Sequence, residues 1–218
     1  HVFSHQDKYQ GHEHTHKGAR GIDWGFADYA ACIWVHIVGK DIVVSAEHAE
    51  KGWGPDKHSA VIKDMSLGRR IDEGMTVIAH SAFNTELGMT SVGQLFSQYG
   101  INCARGTKDK DSGIGIMKAL LSAKEGNYRL VISDKCQLVI EAFKSWEFGQ
   151  HEPDVLAALR YVIQHLLKCG LISLDGIVYN NTDQKEEIID PHSILYRNKQ
   201  RQERYEDLSW DYESGGID

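Results

Sequence analysis

The chain has 218 residues, 41% of them hydrophobic and 25% charged, with a formal net charge of −7. That size and balance suit one globular core with an appendage and exclude a disordered or fibrous chain. No apolar run approaches the roughly 18 residues that span a bilayer and no signal-like segment leads, so a soluble protein with no membrane partner is expected.

The acidity is concentrated at one end. From Leu171 onward 11 acidic residues stand against 5 basic ones, which leaves 20 against 19 in residues 1–170. The body is nearly neutral, so the net charge hardly counts against a nucleic-acid-binding face. Four cysteines (Cys32, Cys103, Cys136 and Cys169) sit in apolar segments without a CxxC pair. This disfavours a disulfide framework or structural zinc and points to a reducing compartment. No GxxxxGKS or GxxxxGKT loop occurs, so ATP hydrolysis by that route is excluded. A start at His1 reads as a fragment or processed piece.

Taken in order, residues 1–18 form a polar arm with five histidines (His1, His5, His12, His14, His16) and no apolar periodicity. A solvated linker is the reading; HEHTH is expected to lack the spacing and the helix that would set metal ligands on one face. Residues 19 to 48 read as three strands: one carrying Asp23, a second in AACIWVHIV, and a third in DIVVSAEHAE after the Gly39-Lys40 turn. Helical spacing follows from His58 to Leu67, a short buried strand from Met75 to Ala79, a helix from Thr90 to Gly100, and a strand-like Ile101 to Ala104. After a basic loop, Arg105 to Lys110, come a helix through Leu121, a strand from Tyr128 to Ser133, and a helix carrying Leu138 to Phe143, which Asp134 is expected to cap. The last strong element is DVLAALRYVIQHLLKC, a helix with a broad apolar face. Beyond Gly170 the pattern loosens into an acidic extension, 171–218, with a short hairpin at ISLDGIVYNN. The whole predicts an α/β domain over 19–170: a mixed sheet led by three antiparallel strands, then alternating helices and strands, with helices on both faces. A ribonuclease-H-like architecture fits better than a Rossmann fold, because no GxGxxG follows the first strand.

Asp23 lies in Gly21-Ile22-Asp23-Trp24-Gly25. A strand aspartate between small residues offers a fixed hard oxygen ligand with room for a phosphate beside it, as metal-dependent phosphoryl transfer requires. A turn or capping aspartate is the plain alternative.

With GIDWG in the first strand, VIAHSAF at the end of a middle strand, KDKDSGI opening a helix and PDVLAALRY opening the last, residues 19 to 168 resemble the nuclease domain of phage large terminase subunits. The order and spacing of these motifs are more specific than any one alone. The resemblance implies a ribonuclease-H-like endonuclease that cuts concatemeric double-stranded DNA during packaging in the cytoplasm of the infected bacterium. It implies Mg2+ or Mn2+, two ions, and as partners an upstream ATPase motor, a small terminase subunit and the capsid portal. Asp23 matches the family's first-strand acid, and Asp154 a metal-binding acid at the head of the last helix. That acid also suits the helix dipole. Where the family's middle strand ends in an aspartate this chain has His80, and further acids are missing at Pro153 and Ala157.

Three readings of His80 stay open: a ligand favouring Mn2+ over Mg2+, a proton-transfer group, or the mark of a weakened site. Glu47, at the rim of the third strand, is a compensating ligand candidate, and His151 another. Arg105, Lys108, Lys110 and Lys118 are candidate DNA contacts, diluted by Asp109 and Asp111; Arg160 is a structural partner or a DNA contact. Two alternatives stand beside the endonuclease: a DNA-binding assembly module with weakened cutting, and another ribonuclease-H-like nuclease such as a resolvase.

Overall fold

Among the described residues seven strands, numbered in chain order, form one sheet in which the first lies at one edge beside the seventh, followed by the fourth, third, second, fifth and sixth. The structure, a computed structural model, describes residues 2–3, 9, 11–25, 27–85, 89–121, 129–147 and 150–174. The expected hairpin and acidic extension lie outside them from residue 175 onward.

The centre is the predicted meander. Strand β2 (Gly18–Asp23) pairs antiparallel with β3 (Tyr29–Val38), and β3 with β4 (Asp41–Lys51). Ala30 to Val35 are buried without alternation, since helices cover both faces of the sheet. Gly39, at φ 62°, supplies the left-handed residue of the β3–β4 turn. Strand β5 (Ile71–Ile78) runs parallel to β2, and β6 (Ala104–Arg105) parallel to β5. On the other flank β7 (Leu130–Ser133) is parallel to β4, and β1 (Val2–Phe3) to β7.

Helices α2 (Pro55–Met65) and α3 (Val92–Gln98) cover one face through Ile62 and Phe96, which join Ile22, Cys32, Trp34 and Ile78 in a core cluster. Helices α4 (Lys110–Leu121), α5 (Gln137–Ser145) and α6 (Asp154–Lys168) form the other layer, with α6 lying on β2, β3 and β5.

Several boundaries moved for local reasons. Helix α2 starts three residues before the predicted His58 because Pro55 occupies its first turn. The strand expected at Ile101 to Ala104 shortens to Ala104–Arg105, as Ile101 is drawn into the core. The histidine arm is not featureless: β1 extends the sheet, and helix α1 (His12–Thr15) brings the Nδ1 atoms of His12 and His16 to 3.1 Å. Glu13 O and Thr15 O accept from Arg70, which ties α1 to the turn before β5.

Candidate functional site

Asp23 ends β2, beside Ala31 of β3. Its neighbour Gly21 lets α6 approach: a Cβ there would stand 2.0 Å from the Ala158 carbonyl oxygen and 3.0 Å from Val162 Cβ. Only a residue without a side chain permits that contact, and the small Ala157 and Ala158 continue it. The helix start at Asp154 is thereby carried to the end of β2.

The charge of Asp154 bears on Asp23. The Asp23 carboxyl is pushed up to about 7, first by burial and then by the charge of Asp154; Arg160 works against this rise and Glu152 adds to it. Asp154 is also raised, by burial and then by Asp28, against the pull of His151 and a backbone hydrogen bond from Tyr29. Two half-buried carboxylates that resist joint ionisation form a place where a cation is stabilising.

Beside Asp23 opens a cleft of about 360 Å3, walled by His80, Asn84, Lys108, Lys110, His151 and Tyr161 among others. His80 begins a short 3-10 turn directly after β5. Partial desolvation, then Lys108 and Arg105, hold its pKa below the usual histidine value, which favours the neutral ring. Gly106 donates to Ile78 O at 2.7 Å, and a Cβ on it would meet Tyr161 Cδ1 at 2.9 Å. This close turn directs the Thr107–Lys110 loop along the cleft.

Glu152 was not singled out from the sequence. It is buried, and its two carboxylate oxygens accept from Arg160 Nε at 2.9 Å and Nη2 at 3.0 Å, with Lys110 Nζ at 3.7 Å. Arg160 stacks over Tyr161 at 4.4 Å, and its Nη1 donates to Gln164. Of its two expected readings, that of structural partner is the one it occupies. Gly113 makes the room, because a Cβ there would lie 2.5 Å from Arg160 Cγ. The sequence signal for Glu152 was its position two residues before Asp154, but an acid ahead of a helix reads first as a capping group. Asp28 was missed likewise, in a turn between two strands.

The remaining candidates divide. Lys108, Lys110 and His151 line the cleft with His80. Arg105 lies over the Phe83 ring at 4.9 Å. Lys118 is exposed on the last turn of α4 and does not wall the cleft. Glu47 is engaged elsewhere: its oxygens accept from Leu138 N at 2.8 Å and Val139 N at 2.9 Å, capping the head of α5. That is the cap expected of Asp134, whose Oδ1 is buried with no hydrogen-bond partner. Among the described residues no three His, Cys, Asp or Glu side chains are arranged to hold a metal ion.

The fold is thus ribonuclease-H-like, with one acid at the end of β2 and another at the head of the helix that crosses it. Solved structures of that class are similar over most of the chain. A large terminase from a thermophilic bacteriophage superposes with a TM-score of 0.61 at 15% identity, over 77% of this chain and 43% of its own. The nuclease domain of the phage P22 large terminase gives 0.56 at 14% identity, over 70% and 83%. The nuclease domain of the phage SPP1 large terminase, solved with Mn bound, gives 0.50 at 12%, over 76% and 95%. The chain therefore spans less than half of the thermophilic phage protein. No protein-family profile and no curated protein matches the sequence.

Proposed function

We propose that this chain is the nuclease part of a DNA-packaging large terminase, a divalent-metal-dependent endonuclease that cuts concatemeric double-stranded DNA in the cytoplasm of the infected bacterium. The observation that carries this reading is Asp23, its carboxyl pushed up by burial and by the charge of Asp154, on the wall of a cleft that Lys108 and Lys110 also line. The two acids fit one ion, with the other positions open to water and phosphate oxygens. The resemblance implies two ions, but Glu152, which also bears on Asp23, has both oxygens committed to Arg160. When bound, a divalent ion supplies polarisation of the phosphate and a more acidic water. Asp23 and Asp154 would hold it. Lys108 and Lys110 bind the backbone phosphates that flank the scissile one. His80, neutral and on the cleft wall, accepts the proton of the attacking water. An ATPase motor, a small subunit and a portal are the proposed partners.

Incubating the chain with plasmid and Mg2+ or Mn2+ tests the reading. Cleavage in either metal, abolished in Asp23→Ala, is expected; intact plasmid in both, with folded protein, counts against it. The commitment of Glu152 and the histidine at position 80 favour a second reading, an assembly module with weakened cutting. Cleavage created by His80→Asp, with no effect of Asp23→Ala in the parent, selects the module. Preference for branched over linear duplexes would select a resolvase.

A further inference from the structure

A second cleft, of about 320 Å3, opens away from the carboxylates. It is at the low end of the roughly 300–1,000 Å3 of small-ligand pockets. Arg20 lies on its wall, three residues before Asp23 on β2. That offset places the two side chains on opposite faces of the sheet and roughly 10 Å apart along the strand.

Its polar lining is Arg20, Ser66, Arg69, Asp72, Thr76 and Asn102. Arg20 donates from Nε and Nη2 to Thr76 Oγ1, at 3.0 and 2.8 Å, and from Nη1 to Ser66 Oγ at 2.9 Å. Both partners are neutral. Ser66 Oγ also accepts from Trp34 Nε1 at 3.0 Å and donates to Ile62 O at 2.6 Å, so its capacity is full. Arg69 donates from Nη1 to Met65 O, while its Nε is buried with no partner. Asp72, the carboxylate in this lining, is paired with Arg70 at 3.3 Å. Two half-buried guanidinium groups therefore share a cavity in which no described carboxylate neutralises either of them. Such an arrangement is costly unless an anion completes it, and guanidinium forks match phosphate oxygens.

We propose that this cleft binds a phosphate monoester. Its dianion balances two guanidinium charges, which a singly charged phosphodiester does not. The phosphate comes from a free nucleotide or from the 5′ end of a DNA strand.

The test is titration of the full chain with inorganic phosphate in EDTA, followed by calorimetry and by the 15N shifts of the arginine Nε–H groups. Saturable binding is expected, with shifts at Arg20 and Arg69 in the parent protein, so that the result does not depend on a variant that folds. Affinity should fall about tenfold in Arg69→Gln, the loss of one charged hydrogen bond, and stay unchanged in Lys108→Ala/Lys110→Ala. Absence of saturable binding, shifts that spare both arginines, or loss of binding in the lysine double variant would overturn the proposal. The source is read from two further arms. A 5′-phosphorylated duplex that binds tighter than its 5′-hydroxyl twin, with the difference lost in Arg69→Gln, assigns a DNA end. Equal duplexes, with a nucleoside monophosphate displacing inorganic phosphate, assign a free nucleotide.

Discussion

Asp23 is in its least comfortable state when it is ionised and alone. Its carboxyl is raised from 3.8 to about 7, chiefly by burial and then by Asp154. A group raised in the folded state contributes stability that is whole below the unfolded value and is lost as pH rises through the folded one, here between about 4 and 7. Asp23→Asn is therefore expected to raise stability by about 1–3 kcal/mol near pH 8, discounted for partial exposure, and to change it little near pH 4. Cleavage should disappear in the same variant. Melting curves at the two pH values, with and without Mn2+, check this: the metal should stabilise the parent and have little effect on the variant.

Two buried histidines have the opposite sign. Burial pushes His36 and His58 down to about 4, against the pull of Glu13 on His36 and, with His48 adding to the fall, of Asp56 on His58; each has an Nε2 with no partner. Their stability is whole above the ordinary value of 6.5 and is lost as pH falls toward about 4, by up to roughly 3 kcal/mol each. Because two such groups outweigh one aspartate, the parent should lose stability across that window. The fall should be steeper in Asp23→Asn, which urea unfolding at stepped pH would measure.

At the scale of elements, the close seat of α6 on β2 decides whether the two acids meet. Gly21→Ala would set a methyl 2.0 Å from Ala158 O, so the helix must move. A loss of about 1–3 kcal/mol is expected from overpacking, with cleavage falling further than stability explains, because Asp154 rides on that helix. Comparing kcat with the urea midpoint separates the two effects. Helix α5 depends on a carboxylate from another element. Glu47→Ala should cost about 1–2 kcal/mol by removing two acceptors at the helix head, and leave Mn2+ affinity unchanged by calorimetry. A loss of metal affinity would return Glu47 to the ligand set.

For the whole molecule, a nearly neutral body sets Lys108 and Lys110 together along the cleft beside Asp23. In Lys108→Ala/Lys110→Ala, DNA binding should weaken uniformly across sequences. The slope of log affinity against log salt should shrink by about 2, one for each phosphate that a lysine no longer neutralises. Binding isotherms at several salt concentrations would show it. No described helix is long and apolar enough to cross a membrane.

The sequence by itself determined the meander, the alternating helices and strands after it, and the candidacy of Asp23 and Asp154. Strand alternation, turn glycines and apolar helix faces are local signals, readable wherever neighbours in the chain set the conformation. Tertiary structure decided what distance along the chain conceals. Glu47 turned from a candidate ligand into the cap of α5, some ninety positions on. Glu152 was taken up by Arg160, and β1 joined the sheet beside β7. GIDWG was legible as an acid between glycines, but only the packed helix explains the first of them: Gly21 is small so that Asp154 can reach the neighbourhood of Asp23. Charge partners and close approaches depend on which faces meet, and that is a property of packing rather than of spacing along the chain.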